Sequence, residues 1–201
     1  MSEDPYERYV VSLVRSHEPI RRGLDIMAKN AETIPPADIY DFMQYGLAWR
    51  QNLEEHHNVE DKLMFPFLSA HITTTKLAEQ HVALQWLLES FKPLCTNYAA
   101  NPSSYSAANF LSHVNSLRDL VLPHLQAEED AFTTESLRKA GFSNEQMTAQ
   151  VEALRKSGMS SGTHGSLIFM RSHTEPGQKF PRMPDPVVWG IYYAGGWVLT
   201  G

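Results

Sequence analysis

The stretch Leu53-Glu54-Glu55-His56-His57-Asn58-Val59-Glu60-Asp61-Lys62-Leu63-Met64-Phe65-Pro66 decides how this chain of 201 residues is read. It lies in a long run whose apolar residues recur at helical spacing, with Ile39, Phe42, Met43, Gly46, Leu53, Met64 and Phe67 on one side. His56 and Glu60 fall in step with Leu53, so both face inward with that side. At about 3.6 residues per turn, a histidine and a glutamate four apart are stacked neighbours. An imidazole and a carboxylate converging from an inward face are how a helix offers two ligands to a metal.

Working outward, the same arrangement recurs. A first helix is predicted from Pro5 to Ala31, with Val10, Leu13, His17, Ile20, Leu24 and Met27 on its seam and a bend at Pro19. The opening stretch belongs to a second helix, from Ala37 to Leu68, which Pro66 kinks or begins to end. A third, from Lys76 to Tyr98, carries Leu77, His81, Leu84, Leu88, Phe91 and Cys95 at alternating four- and three-residue spacing. A fourth, from Ala107 to Lys139, carries Phe110, Val114, Leu117, Val121, His124, Glu128 and Ala131 in the same rhythm. Short connections between four long helices predict an all-α, up-down-up-down four-helix bundle over residues 1–140.

Residues 141–201 are predicted to form an extension. Ser143 with Gln146 reads as a capping box that opens a short fifth helix, ending near Gly158. From Met159 onward the chain is rich in Gly and Pro and reads as irregular, with Trp189, Tyr192, Tyr193 and Trp197 near its end. Packing over one end of the bundle is the simplest use of those rings, ahead of a dimer contact or a membrane surface.

Each helix therefore places one histidine on its seam: His17, His56, His81 and His124. Two of these are followed four residues later by an inward carboxylate, Glu60 and Glu128. A lone seam histidine is more often a hydrogen-bonded core residue than a ligand. Four on four helices, with two buried carboxylates and no Lys or Arg at that level, ask for positive charge instead. A divalent metal pair bridged by Glu60 and Glu128, with the imidazoles as terminal ligands, supplies it. Imidazole and carboxylate without thiolate suit iron, with manganese and zinc as alternatives.

Composition narrows the remaining classes. With 42% hydrophobic and 20% charged residues, the chain has the balance of an ordinary globular protein. A net charge of −6 with scattered basic residues argues against nucleic acid as a partner. Cys95 is the single cysteine, so no intramolecular disulfide forms. No run approaches the ~20 apolar residues of a membrane span, and the acidic residues 1–7 do not read as a secretory signal. The expectation is a cytoplasmic protein of undetermined oligomeric state.

His17, the His56-His57-x-x-Glu60-Asp61 run with Leu63-Met64-Phe65-Pro66 after it, His81, and His124-x-x-x-Glu128-Glu129 together resemble the hemerythrin-like, or HHE cation-binding, domain. The resemblance covers about residues 10 to 135. It implies a four-helix bundle holding two non-haem iron ions that react with dioxygen. It further implies bridging roles for Glu60 and Glu128 and terminal roles for His17, His56, His81 and His124. The oxygen-carrying members place two histidines four apart on the third helix, whereas Gln85 stands four after His81 here. That departure leaves one metal with an open or water-filled position, or one that His57 fills. His57 lies about 100° around the helix from His56, so it is either a ligand or a side chain at the bundle edge. Asp61 and Glu129 read as carboxylates behind the ligands or in solvent.

The leading functional expectation is a di-iron protein that binds dioxygen or peroxide, for oxygen binding, sensing, iron handling or oxidative-stress protection. The alternative is a di-iron oxidase or oxygenase acting on a small organic substrate, as in a biosynthetic pathway. No catalytic residue is assigned apart from the metal centre. A substrate-sized cavity beside the metals distinguishes the second reading from the first.

Overall fold

The computed structural model describes residues 4–161, 164–174 and 180, with side chains omitted at 159–161, 164 and 165. Among the described residues the fold is all-helical. Four long helices make the body: α1 (Pro5–Asn30), α2 (Ile39–Val59), α4 (Thr75–Ala100) and α5 (Ala107–Ala131). Their α2–α4, α4–α5, α5–α1 and α1–α2 faces pack in a closed ring. The caps explain two of the starts. Asp4 accepts from the Tyr6 amide at 3.0 Å ahead of α1, and Ser106 accepts from the Asn109 amide at 3.3 Å ahead of α5. Pro19, Pro93 and Pro123 all lie inside helices that continue past them.

The second helix departs from the expected continuous α-helix. After Val59 the chain takes a π-helical turn, Glu60–Met64, then a last α-helical turn, α3 (Phe65–Leu68). The wider turn adds a residue and rotates everything after it. Phe65 and Leu68 are therefore buried, and Phe67, expected on the seam, is only half-buried. On α1 the seam begins with Tyr6 and Tyr9; Val10 is half-buried instead.

The fourth helix ends at Ala131 rather than Lys139. Phe132 leaves helical geometry and is fully buried, and Thr133 caps a separate short helix, α6 (Thr134–Lys139), at the Ser136 amide. Gly141, with φ of 87°, makes the turn after it. Ser143 and Gln146 exchange hydrogen bonds at 2.7 and 3.2 Å at the head of α7 (Asn144–Ser161). That helix does not stop at Gly158: nothing lies within 4 Å of the glycine's missing side chain. A further helix, α8 (His164–Ser172), occupies part of the stretch expected to be irregular. Trp189, Tyr192, Tyr193 and Trp197 lie outside the described residues.

α7 and α8 lie against α1 and α2. Phe169 on α8 joins the core beside Gly23, which allows the Trp49 ring to approach; a methyl on Gly23 would stand 2.2 Å from Trp49 Cδ1. Trp49 Nε1 donates to the Ile20 carbonyl at 2.9 Å, so the ring is buried without stranding its polar atom.

The core falls into two apolar clusters. One gathers Ile20, Leu24, Met43, Trp49, Leu53, Leu84, Phe91 and Phe110. The other gathers Tyr9, Leu13, Met64, Leu68, Leu77, Phe132 and Met147. Between Leu13 and Ile20 on α1 stands His17, and between Leu77 and Leu84 on α4 stands His81, so a polar layer separates the clusters.

Candidate metal centre

That layer holds seven side chains brought in by α1, α2 with its π turn, α4 and α5. They form two groups whose donor atoms lie within 4.8 Å of one another: His17, His56, Glu60 and Glu128; and His57, Glu60, His81 and His124. Glu60 belongs to both. Helical geometry explains this, because Glu60 projects about 40° from His56 and about 60° from His57, between the two rings. All six residues expected as ligands come together here, and His57 comes in with them, 6% exposed and stacked on the His81 ring at 4.1 Å.

The nitrogen atoms point to one region. His56 Nε2 lies 3.0 Å from Glu60 Oε1, and His81 Nε2 lies 3.5 Å from Glu60 Oε2. His17 Nε2 lies 3.3 Å from Glu128 Oε2, and His124 Nε2 lies 3.7 Å from Glu128 Oε1. Facing outward, three Nδ1 atoms are anchored: His17 to Glu129 at 2.7 Å, His81 to Asp61 at 2.8 Å and His124 to Gln80 Oε1 at 3.0 Å. Each anchor accepts from Nδ1–H, which leaves a bare Nε2 lone pair turned inward. Metal-bound imidazoles are held in this way. Arg21 steadies Glu129 at 2.8 Å. Against the burial that raises it, hydrogen bonds from His17 and Arg21 bring the Glu129 carboxyl down to about 2.

Burial governs the charges. It lowers His56 to about 4, and burial with the neighbouring His81, His56 and His17 lowers His124 to about 3. His57 is pushed well below its ordinary value in the same way. Burial and then the nearby Glu60 charge raise Glu128 to about 8, while burial carries Glu60 well above the carboxylate range.

The donor set fits divalent cations. Both oxygens of Glu60 and of Glu128, and Nε2 of His17, His56 and His57, are buried without a hydrogen-bond partner. Among the described residues, only imidazoles lie within ion-pair distance of the two carboxylates. Such orphaned groups cost about 1–3 kcal/mol each, more if charged, and a cation at each group would satisfy them together.

Gln85 does not share the site. Its side chain is exposed and donates to Glu89 at 2.9 Å, so the position considered beside the metals faces solvent. Three contributors were not read from sequence: Gln80, Tyr9 and the docking of α7 and α8 beside the layer, α7 having been expected as a helix but given no place at the site. Tyr9 is 1% exposed, its hydroxyl has no hydrogen-bond partner, and burial followed by Glu60 and Glu128 raises its phenol. Its signal was the four-residue spacing Tyr9, Leu13, His17. Beside the layer, α1, α2, α7 and α8 enclose a cavity of about 220 Å³ lined by Tyr9, His56 and Glu60 on one side and by Val151, Leu154, Leu167 and Met170 on the other.

Comparison with known proteins places this layer within a known domain. A protein of Cryptosporiopsis sp. (strain 8999), described as "Dimeric xanthone biosynthesis cluster protein R11", is 30% identical over 96 residues. The match covers 46% of this chain and 36% of that protein, so it spans about a third of the relative's length. No solved structure matches the chain. The model of the hemerythrin HHE cation binding domain matches residues 9–156, nearly the whole of the helical body and every residue of the polar layer. The chain belongs to the hemerythrin HHE cation-binding domain family.

Proposed function

We propose that this chain is a di-iron oxidase or oxygenase, an up-down-up-down hemerythrin-like bundle that turns dioxygen on a small organic molecule. Glu60 and Glu128 would bridge the two metals, with His17 and His56 as terminal ligands of one and His57, His81 and His124 of the other. Bound iron would supply the electrons that reduce dioxygen, which zinc cannot do. The protein's own part is positional: Glu129, Asp61 and Gln80 hold three imidazoles in one orientation, and the two apolar clusters keep bulk water from the layer.

The single observation that favours oxidation over carriage is the cavity of about 220 Å³ that opens on His56 and Glu60. A carrier needs room for a diatomic molecule only. The relative's name, which refers to a biosynthesis cluster, also supports work on a small molecule. A second reading, oxygen binding or sensing with roles in iron handling or oxidant protection, draws support from the burial of the layer, with His17 and Glu128 both at 0% exposure.

Oxygen uptake separates the two. The ferrous protein, loaded without oxygen, is exposed to air and then purged with argon. Irreversible uptake that continues when a chemical reductant is supplied is the expected result. A band that forms in air and vanishes completely under argon would instead give the carrier or sensor.

A further inference from the structure

We infer that the cavity beside the metal layer is a lengthwise slot for an elongated, mainly apolar molecule, which turns its middle rather than its end toward His56 and Glu60. The inference rests on the proposed function, since it names the substrate class of that site.

The length of the slot follows from its lining. α2 and the π turn contribute Asn52, His56, Glu60 and Met64, four apart along one face. At about 1.5 Å per residue, the run from Asn52 to Met64 covers about 18 Å. The facing wall on α1 runs from Arg8 to Ser16, about 12 Å. The His17 and His56 ring centroids lie 5.1 Å apart, and Trp49 bonds the Ile20 carbonyl, so α1 rises as α2 falls. Tyr9 is therefore level with Met64, at the opposite end from Asn52.

The roof comes in two halves. At one end Arg8 pairs with Glu152 at 3.2 Å and Gln150 donates to the Leu63 carbonyl at 3.1 Å, which lays Val151 and Leu154 of α7 over the slot. At the other end Asn52 donates to Ser166 Oγ at 3.1 Å, and the Tyr45 hydroxyl bonds His173 Nε2 at 2.7 Å. These ties lay Leu167 and Met170 of α8 over that half. His56 and Glu60 stand between the halves, each one turn in from an end.

A space of about 220 Å³ drawn out over that length is a narrow slot, not a round chamber. A compact molecule would fill one half and leave the other without contacts, a loss that a longer occupant avoids. The buried lining is largely apolar at both ends: Tyr9, Met64 and Val151 at one, Leu167 at the other. Arg8, Arg15, Glu55 and Arg155 are half-buried or exposed, so the charged part of the wall forms its rim. Burial of an apolar body against that lining is what holds the occupant, so affinity follows shape.

Equilibrium dialysis of the full chain against trans-4-hydroxystilbene and its cis isomer, with and without loaded metal, tests this. The two probes have the same atoms, one extended and one bent. The extended isomer should bind at least about tenfold more tightly. Val151→Trp and Leu167→Trp narrow opposite ends of the slot, so each should weaken the extended isomer about tenfold or more. Circular dichroism checks that both variants fold; if either does not, the isomer comparison on the unmodified chain decides. Equal affinity for the two isomers, tighter binding of the bent one, no binding of either, or a folded variant that still binds the extended isomer fully would overturn the inference. Oxygen uptake on the same samples reports separately on the proposed oxidation. Preference for the extended isomer without uptake would support the slot and sink the oxidase reading; uptake without that preference would sink the slot alone.

Discussion

His56 and His57 are adjacent in the chain, yet they face two different groups of candidate ligands, and Glu60 is common to both. A helix separates adjacent residues by about 100°, and a residue four further along falls between them. One stretch would thus serve two cations with three side chains, His56 and His57 from α2 and Glu60 from the π turn. Replacing Glu60 and replacing Glu128 should therefore have unequal effects. Glu60→Ala removes a ligand from both groups and should leave well below about one metal per chain. Glu128→Ala takes away the second proposed bridge but leaves the four donors His57, Glu60, His81 and His124 to hold one cation, and should retain about one. Metal analysis after desalting reads the difference, and equal retention in the two variants would contradict it.

The carboxylates behind the imidazoles should matter less than the ligands, but measurably. Glu129→Gln weakens the hold on His17, and Asp61→Asn the hold on His81. Each should lower metal affinity about 10- to 100-fold while leaving the helical circular dichroism unchanged. Competition with a chelator of known affinity measures this.

Gln85→His restores the histidine spacing of the oxygen carriers on the third long helix. Because Gln85 is exposed and bonded to Glu89, the new imidazole should stand in solvent. Metal content and the optical spectrum should match the unmodified protein. A shifted metal band would mean that α4 rotates to bring this face inward.

Acidity should act on the metal-free protein from both sides. Glu128 keeps its proton to about 8 when folded, against 4.5 ordinarily, so the unfolded chain sheds it first and stability falls as pH rises from about 4.5 to 8. His56 and His124, near 4 and 3 when folded, take up protons in the unfolded chain below 6.5, so stability also falls as pH drops below that value. Four depressed histidines outweigh two raised carboxylates in the overlap. The melting temperature of the metal-free chain should peak near pH 6.5. Metal loading should raise it and remove the decline toward pH 8. Identical pH profiles with and without metal would refute this.

Much of the centre was legible because buried polar residues obeyed the apolar period. His17, His81 and His124 each replace an aliphatic residue in a seam, and Glu60 and Glu128 follow a histidine by one turn. His57 was ambiguous because its angle, not its period, brings it in, and only the position of α4 shows that it stacks on His81. Gln80 sits off the seam and reaches His124 across a helix pair, a contact no single-helix pattern encodes. The cavity was invisible for the same reason: its walls join α1 and α2 to α7 and α8, whose docking depends on long-range packing such as Phe169 beside Trp49 and Gly23. The π turn has no breaker residue to announce it; Pro66 lies just beyond it.

The most direct test of the central claim is the iron content of the unmodified chain after anaerobic ferrous loading and desalting. The account predicts about two irons per chain, one for each group that shares Glu60. Retention of well under one iron would mean that the histidines and glutamates form a hydrogen-bonded core network, and the metal centre would fall with it.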